Sequence, residues 1–217
     1  MAVYDLEEQE QIAQLKGWWA QYGNMIVTTA LALSLGFAGW QLWNRYQNAN
    51  AAEVSALYAE LQQAVAADDA AQSREIAGRM IGKYGSTAQA QMGALLSAGV
   101  QFRGNDLDNA RPHLEWAAEK GKDAVLRDLA RLRLAAVLLH QGAATEALSR
   151  LQPVPEGPLR ARFEDLRGDA FANQGRASEA RAAWEAALGA LGSASGDAAL
   201  HSTLRSTIRA KLESLEG

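Results

Sequence analysis

The chain has 217 residues, with 21 Lys and Arg against 25 Asp and Glu, a net charge of −4 and no cysteine. Its length fits one domain of ordinary size plus an appendage, and its 48% hydrophobic and 21% charged residues exclude wholesale disorder and a polytopic membrane protein. The missing cysteines exclude disulfides, thiol catalysis, zinc ribbons and iron–sulfur clusters, and the near-balanced charge argues against a nucleic-acid partner, whose phosphates call for a basic face.

In chain order, the first element is an acidic tail with Asp5, Glu7, Glu8 and Glu10. The 28 residues between Lys16 and Arg45 then carry no charge. Met25–Trp43 is mostly Ile, Val, Leu, Ala, Gly and Phe, and a helix rising about 1.5 Å per residue needs about 20 residues to cross a hydrocarbon core of about 30 Å. Trp18, Trp19 and Tyr22 stand before the apolar run, and Trp40, Trp43 and Tyr46 at its end, where amphipathic rings settle at the two levels of a bilayer interface. A cleaved signal peptide, with Ala49-Asn50-Ala51 as its processing site, is opposed by the acidic tail, the length of the run and the intervening Arg45. We expect a tail over 1–23, an uncleaved transmembrane helix over 24–44 and a folded body over 45–217. Lys16 and Arg45 balance across the span, so charge alone leaves its orientation open.

The body reads as successive amphipathic helices broken by short Gly, Asp or Pro punctuation, with abundant Ala, Leu, Gln, Glu and Arg and only 4 Pro. Helices are expected near 46–67, 70–84, 87–102, 109–120, 124–141, 144–152, 158–174, 177–191 and 198–215, giving an all-α protein. Pro112 predicts a helix that starts near Asn109, with the proline in its first turn, or that kinks there. In the late segment Gly168, Phe171, Gly175, Ala180, Trp184 and Ala187 keep the small, aromatic, Gly, Ala, aromatic, Ala spacing of a tetratricopeptide repeat. Ala135, Leu138, Gly142, Ala147, Leu151 and Val154 form a weaker copy. Gly104, Ala110, Leu114 and Ala117 form a looser one, with six residues from Gly to Ala instead of five. Glu53–Tyr84 is expected as an irregular entry pair without the signature. Leu200, Leu204, Ile208, Leu212 and Leu215 mark one face of a capping helix, which a solenoid needs at its end.

The chemistry-bearing residues do not assemble into an enzyme. His113, His140 and His201 lie on separate helices, and none is followed at i+3 or i+4 by a His, Asp or Glu, so no metal site is expected; His140 suits the last turn of a helix. No phosphate-cradling Gly-rich loop or Gly-x-Ser-x-Gly elbow is present, so no cofactor is expected. Asp165 and Asp169 share a helix face, which with Arg162 and Arg176 nearby reads as a solvated face and not a catalytic pair. Binding is better supported: the first helices of solenoid repeats line a concave surface suited to extended, unfolded or helical polypeptide. The candidate groove residues are Leu129, Leu132, Ala136, Leu139, His140, Asp165 and Asp169, the aliphatic ones also being suited to packing between helix pairs.

The run Gly39-Trp40-Gln41-Leu42-Trp43-Asn44 at the end of the single span is combined with two later runs, Asp165-Leu166-Arg167-Gly168-Asp169-Ala170 and Ala180-Arg181-Ala182-Ala183-Trp184-Glu185-Ala186. Together with the acidic tail and the Ala-rich body, these make the whole chain resemble the YfgM family. The resemblance implies a non-enzymatic ancillary subunit of the SecYEG translocon in the bacterial inner membrane, with a cytoplasmic amino terminus and a periplasmic repeat body. It further implies the membrane chaperone PpiD as a partner, with unfolded periplasmic or outer-membrane proteins as clients passed on to periplasmic chaperones. Its irregular segment at Gly104–Ala110 and Pro112 departs from the regular repeat. The competing expectation is a scaffold that recruits one folded partner in envelope assembly or cell division.

Overall fold

Helix-favouring composition and three- and four-residue apolar spacing produce helices throughout the described part of the chain. A computed structural model describes residues 2–193 and 198–215, with side chains at 11–42, 50–192 and 201–215. Among these the elements are α1 (Ala2–Ala66), α2 (Ala70–Tyr84), α3 (Ala88–Arg103), α4 (Leu107–Glu119), α5 (Ala124–His140), α6 (Ala144–Arg150), α7 (Arg160–Asn173), α8 (Ala177–Ser193) and α9 (Ala198–Ser214). The helix expected near 46–67 is not a separate element but the last part of α1, since no Gly, Pro or capping turn interrupts Arg45–Val54. The chain divides into two compact units, Met1–Ala52 and Glu53–Gly217.

In the first unit, Gln11–Leu42 is long and apolar enough to cross a membrane. Every residue from Met25 to Leu42 is exposed. Thr28 donates to the Asn24 carbonyl at 2.8 Å and Ser34 to the Ala30 carbonyl at 2.8 Å, so these hydroxyls are satisfied within the helix, as lipid requires. Trp18 stacks at a tilt on Tyr22, with ring centroids 5.9 Å apart, and Phe37 on Trp40 at 5.8 Å. Tyr22 and Trp40 are 18 positions apart on the helix, about 27 Å along its axis, close to the thickness of a hydrocarbon core. The side chains of Trp43 and Tyr46 lie outside the described residues.

The second unit is built on one turn used four times. Asp68 (φ 50°), Asn105 (φ 57°), Gly142 (φ 76°) and Gly175 (φ 71°) each adopt the left-handed conformation just beyond a helix. In each case the next amide donates back five residues: Asp69 to Ala64, Asp106 to Gln101, Ala143 to Leu138 and Arg176 to Phe171, at 2.8–3.0 Å. The turn residue itself donates back three, Asp68 to Val65, Asn105 to Phe102, Gly142 to Leu139 and Gly175 to Ala172. This paired bonding is the Schellman termination, which satisfies the last carbonyls of one helix while turning the chain into the next.

Counted from that residue the repeats are regular, which corrects two expectations. The loose copy has its pivot at Asn105 and not at Gly104 (φ −76°), so Ala110 follows five residues later, as Ala147 follows Gly142 and Ala180 follows Gly175. The entry pair carries the same frame, with Ser73, Ala77 and Met80 at the positions of Ala180, Trp184 and Ala187, all fully buried. Pro112 brings a third correction, because α4 begins at Leu107 with Pro112 inside it. The Asp106 carboxylate accepts from the Asn109 amide at 3.4 Å and from its side chain at 2.8 Å, and this cap fixes the start ahead of the proline.

Three apolar clusters succeed one another along the stack. The first joins Val54, Leu57 and Leu61 to Ile76, Met80 and Tyr84; the second centres on Leu114, Leu134, Leu138, Leu151 and Phe163; the third holds Trp184, Leu191 and Ile208. Ile208 is fully buried and Leu204, Leu212 and Leu215 pack beside it, so α9 closes the last pair; Leu200 falls outside the described side chains. Between α4 and α5 the chain is fastened by the buried Gln91, whose amide nitrogen donates to the carbonyls of Ala117 (3.0 Å) and Asp123 (3.2 Å) while its oxygen accepts from the Asp123 amide (3.1 Å).

Candidate protein-binding groove

Within the second unit, the first helix of each pair presents equivalent positions to one surface. Six residues before the turn residue stand Gly99, Ala136 and Asp169; nine before it, Leu96, Arg133 and Leu166; three before it, Val65, Phe102, Leu139 and Ala172. All of these line hollows on that surface. One hollow, of about 260 Å³, runs between α3 and α5 over Val65, Leu95, Gly99 and Phe102. A second, of about 330 Å³, lies between α5 and α7 over Leu139, His140, Leu166 and Ala172. A third, of about 400 Å³, is bounded by Leu132, Arg133, Arg162, Asp165, Leu166 and, from α9, Leu204 and Thr207. Ala136 lines all three.

The residues singled out in the sequence meet on this surface in different ways. Leu132 is buried, 8% exposed, and packs in the central cluster while still edging the third hollow; Leu129 is half-buried and packs against the same cluster. Leu139 and Ala136 are half-buried at the groove, and His140 is exposed with its ring edge-on to Phe102, centroids 5.0 Å apart. Asp165 and Asp169 point to α9, where the Lys211 ammonium lies 2.7 Å from each carboxylate. The Trp184 indole nitrogen reaches the same place, donating to the Asp165 carbonyl at 3.1 Å and to the Asp169 carboxylate at 3.2 Å.

Burial pushes the Asp165 carboxyl up, and neighbouring Asp169 adds to this, against the pull of Lys211. At Lys211 burial acts to lower the pKa, but the hydrogen bonds that the ammonium donates to Asp165 and Asp169, with their charges, outweigh it and hold the ammonium above its ordinary range. The two directions agree, because one cation shared by two mutually repelling anions compensates the cation more fully than either anion. Asp165 and Asp169 thus share one cation within the chain, which leaves the cluster one negative charge in excess.

Cations remain on the groove walls. Arg133 on α5 crosses to α3, donating one Nη1–H to the Leu95 carbonyl at 3.0 Å. Its guanidinium is exposed by surface area yet sits in a concavity, where burial first and the charge of Arg162 second lower its pKa. Among the described residues neither Arg133 nor Arg162 lies within ion-pair distance of a carboxylate, whereas Arg103, beside the first hollow, is paired with Asp68 at 2.6 Å. Sequence reasoning missed the α3 wall, because the loose copy was counted from Gly104; counting from Asn105 places Gly99 and Phe102 at the positions of Ala136 and Leu139.

The residues named for repeat packing lie in and beside the third apolar cluster. Ala180, Trp184 and Ala187 are buried, Phe171 packs against them, and Gly175 is the left-handed turn. A Cβ on Gly168 would collide with the Trp184 indole.

Compared with known proteins, residues 16–217 match the family described as Tetratricopeptide repeat-like domain. A Haemophilus influenzae protein named Ancillary SecYEG translocon subunit is 31% identical over 85% of this chain and 90% of its own. Proteins of the same name from Neisseria gonorrhoeae and Aggregatibacter actinomycetemcomitans are 27% and 25% identical, over 81% and 85% of this chain and 84% and 90% of theirs. With its four Schellman-turned helix pairs and this match along nearly its whole length, the chain belongs to the YfgM family of tetratricopeptide repeat-like proteins.

Proposed function

We propose that this chain is a non-enzymatic, membrane-tethered adaptor and an ancillary subunit of a SecYEG translocon. The helix over 24–44 anchors it in the bacterial inner membrane, with residues 1–23 as a short cytoplasmic tail and 45–217 as a periplasmic repeat domain. The observation that carries the binding role is the set of three neighbouring hollows that share Ala136, apolar on most of their walls and open to a polypeptide. The translocon enters through the relatives that bear its name. Tethering concentrates such a groove beside the channel exit without any added contact. Emerging periplasmic or outer-membrane proteins would be held there and passed to periplasmic chaperones, with the membrane chaperone PpiD as neighbour.

Two experiments test this reading. Tagged chain purified from detergent-solubilised membranes should bring down the channel subunits, and replacing residues 25–42 by a polyleucine span should keep the chain in the membrane but lose them. Recovery of no channel subunit with the unaltered span would refute the assignment. The absence of native cysteine gives a clean topology test. Val125→Cys, at a position 66% exposed, should react with a membrane-impermeant maleimide in spheroplasts, and failure there with reaction only after lysis would reverse the orientation.

A further inference from the structure

We propose that the groove selects apolar polypeptide segments that carry one internal acidic side chain, with Arg133 and Arg162 as its anchor. This rests on the groove reading above and specifies the ligand that the groove prefers.

The charge balance of the walls points this way. The acidic residues of the groove, Asp165 and Asp169, are occupied by Lys211, and Arg103 is occupied by Asp68. Set against Lys211, Arg133 and Arg162, the two aspartates leave the described walls with one positive charge in excess. Arg133 spends one donor on the Leu95 carbonyl; Arg162 shares its hollow with Asp165 and feels that charge, but neither arginine lies within ion-pair distance of a described carboxylate, so both guanidinium forks keep donors free for one. A carboxylate bound there would form charge-assisted, bidentate hydrogen bonds and relieve the repulsion of the two like charges, which adds to burial in lowering the Arg133 pKa.

Geometry places that carboxylate inside a segment and not at its end. Arg133 lines both the α3–α5 hollow and the hollow bounded by α9. Apolar wall continues on both sides of it, with Leu96 and Phe102 on one and Leu166 and Leu204 on the other. A ligand that terminated at the arginines would fill one hollow and leave the other wet. A segment that passes them fills both, with its apolar side chains in the hollows and its acid at the waist.

The test uses the full chain in lipid nanodiscs and pools of acetylated, amidated dodecapeptides. Their flanking positions are randomised over Leu, Val, Ala and Ser, and the central residue is Glu, Gln or Lys. The unaltered chain should retain the Glu pool about tenfold better than the Gln pool, as one charge-assisted hydrogen bond would give, and the Lys pool least. Arg162→Gln, at an exposed position, should erase the Glu-over-Gln preference, and Arg162→Glu should move the preference toward Lys. Equal retention of the Glu and Gln pools would overturn the acidic anchor and leave the peptide groove standing. So would a Gln pool with a free carboxyl terminus that matches the Glu pool, because the arginines would then read chain ends. Retention of no pool would overturn both readings.

Discussion

Gly168 and Trp184 meet face to face: the bare Cα of the one leaves the space that the indole of the other fills, and the indole nitrogen then reaches the Asp165 carbonyl at 3.1 Å. Any side chain at 168 must displace a buried ring. Gly168→Ala is expected to cost about 1–3 kcal/mol, the range for overpacking a well-filled core. At about 2–4 °C per kcal/mol for a domain of this size, a thermal melt followed by circular dichroism resolves the loss. An unchanged melting temperature would mean that helices α7 and α8 separate readily at this point.

Asn105 supplies a second test through its backbone. At φ 57° it needs the left-handed region, which Asn tolerates, Gly prefers and Ala resists by about 1 kcal/mol or more. Asn105→Ala should therefore destabilise the chain, while Asn105→Gly should leave it unchanged or slightly more stable. Equal effects of the two substitutions in urea unfolding would deny the Schellman turn at this position.

The same residue explains how far the sequence could be read. The long apolar helix, the all-helical body and the last two helix pairs were legible, the pairs because Gly142 and Gly175 mark their turns with the residue that a left-handed backbone favours most. The first two turns use Asp68 and Asn105, whose polar side chains tolerate that backbone but also occur in ordinary loops and caps, so the repeat frame there was hidden. Counting from Gly104 shifted the frame by one residue and concealed the α3 wall of the groove. The partner of Asp165 and Asp169 was not legible either. Lys211 lies 46 and 42 residues away in sequence, and only the packing of α9 brings it near.

That clasp has a pH signature. Because Lys211 is raised above its ordinary value of 10.5, its contribution to stability is complete below that value and is lost as pH rises through the higher folded value. A spin label at the exposed Arg209 should report an α9 that stays ordered through neutral pH and loosens only above the ordinary lysine range. Lys211→Met should abolish this alkaline transition. It should also cost about 1–3 kcal/mol at neutral pH, less than a fully buried pair would, since the group is part exposed. An alkaline transition that survives Lys211→Met would place the titrating group elsewhere.

Gln91 closes the junction between α4 and α5 with three hydrogen bonds made by one buried amide. Gln91→Leu leaves the Ala117 and Asp123 backbone groups without those partners and should cost about 1–3 kcal/mol. Hydrogen exchange at the Asp123 amide, which donates to Gln91, should rise more than exchange in α8. Uniform exchange through the body would show that this junction is not a local fastening.

The most direct test of a tethered adaptor with a polypeptide groove is photo-crosslinking in living cells. One probe is placed at Leu33, 69% exposed on the apolar helix, and one at Ala136, which the three hollows share, with captured proteins identified by mass spectrometry. Ala136 serves better than the neighbouring Leu132, which is buried in the central cluster. The account predicts translocon subunits at Leu33 and many different exported polypeptides at Ala136. A single folded partner at Ala136, with no channel subunit at Leu33, would contradict it and make the chain a scaffold for envelope assembly or cell division.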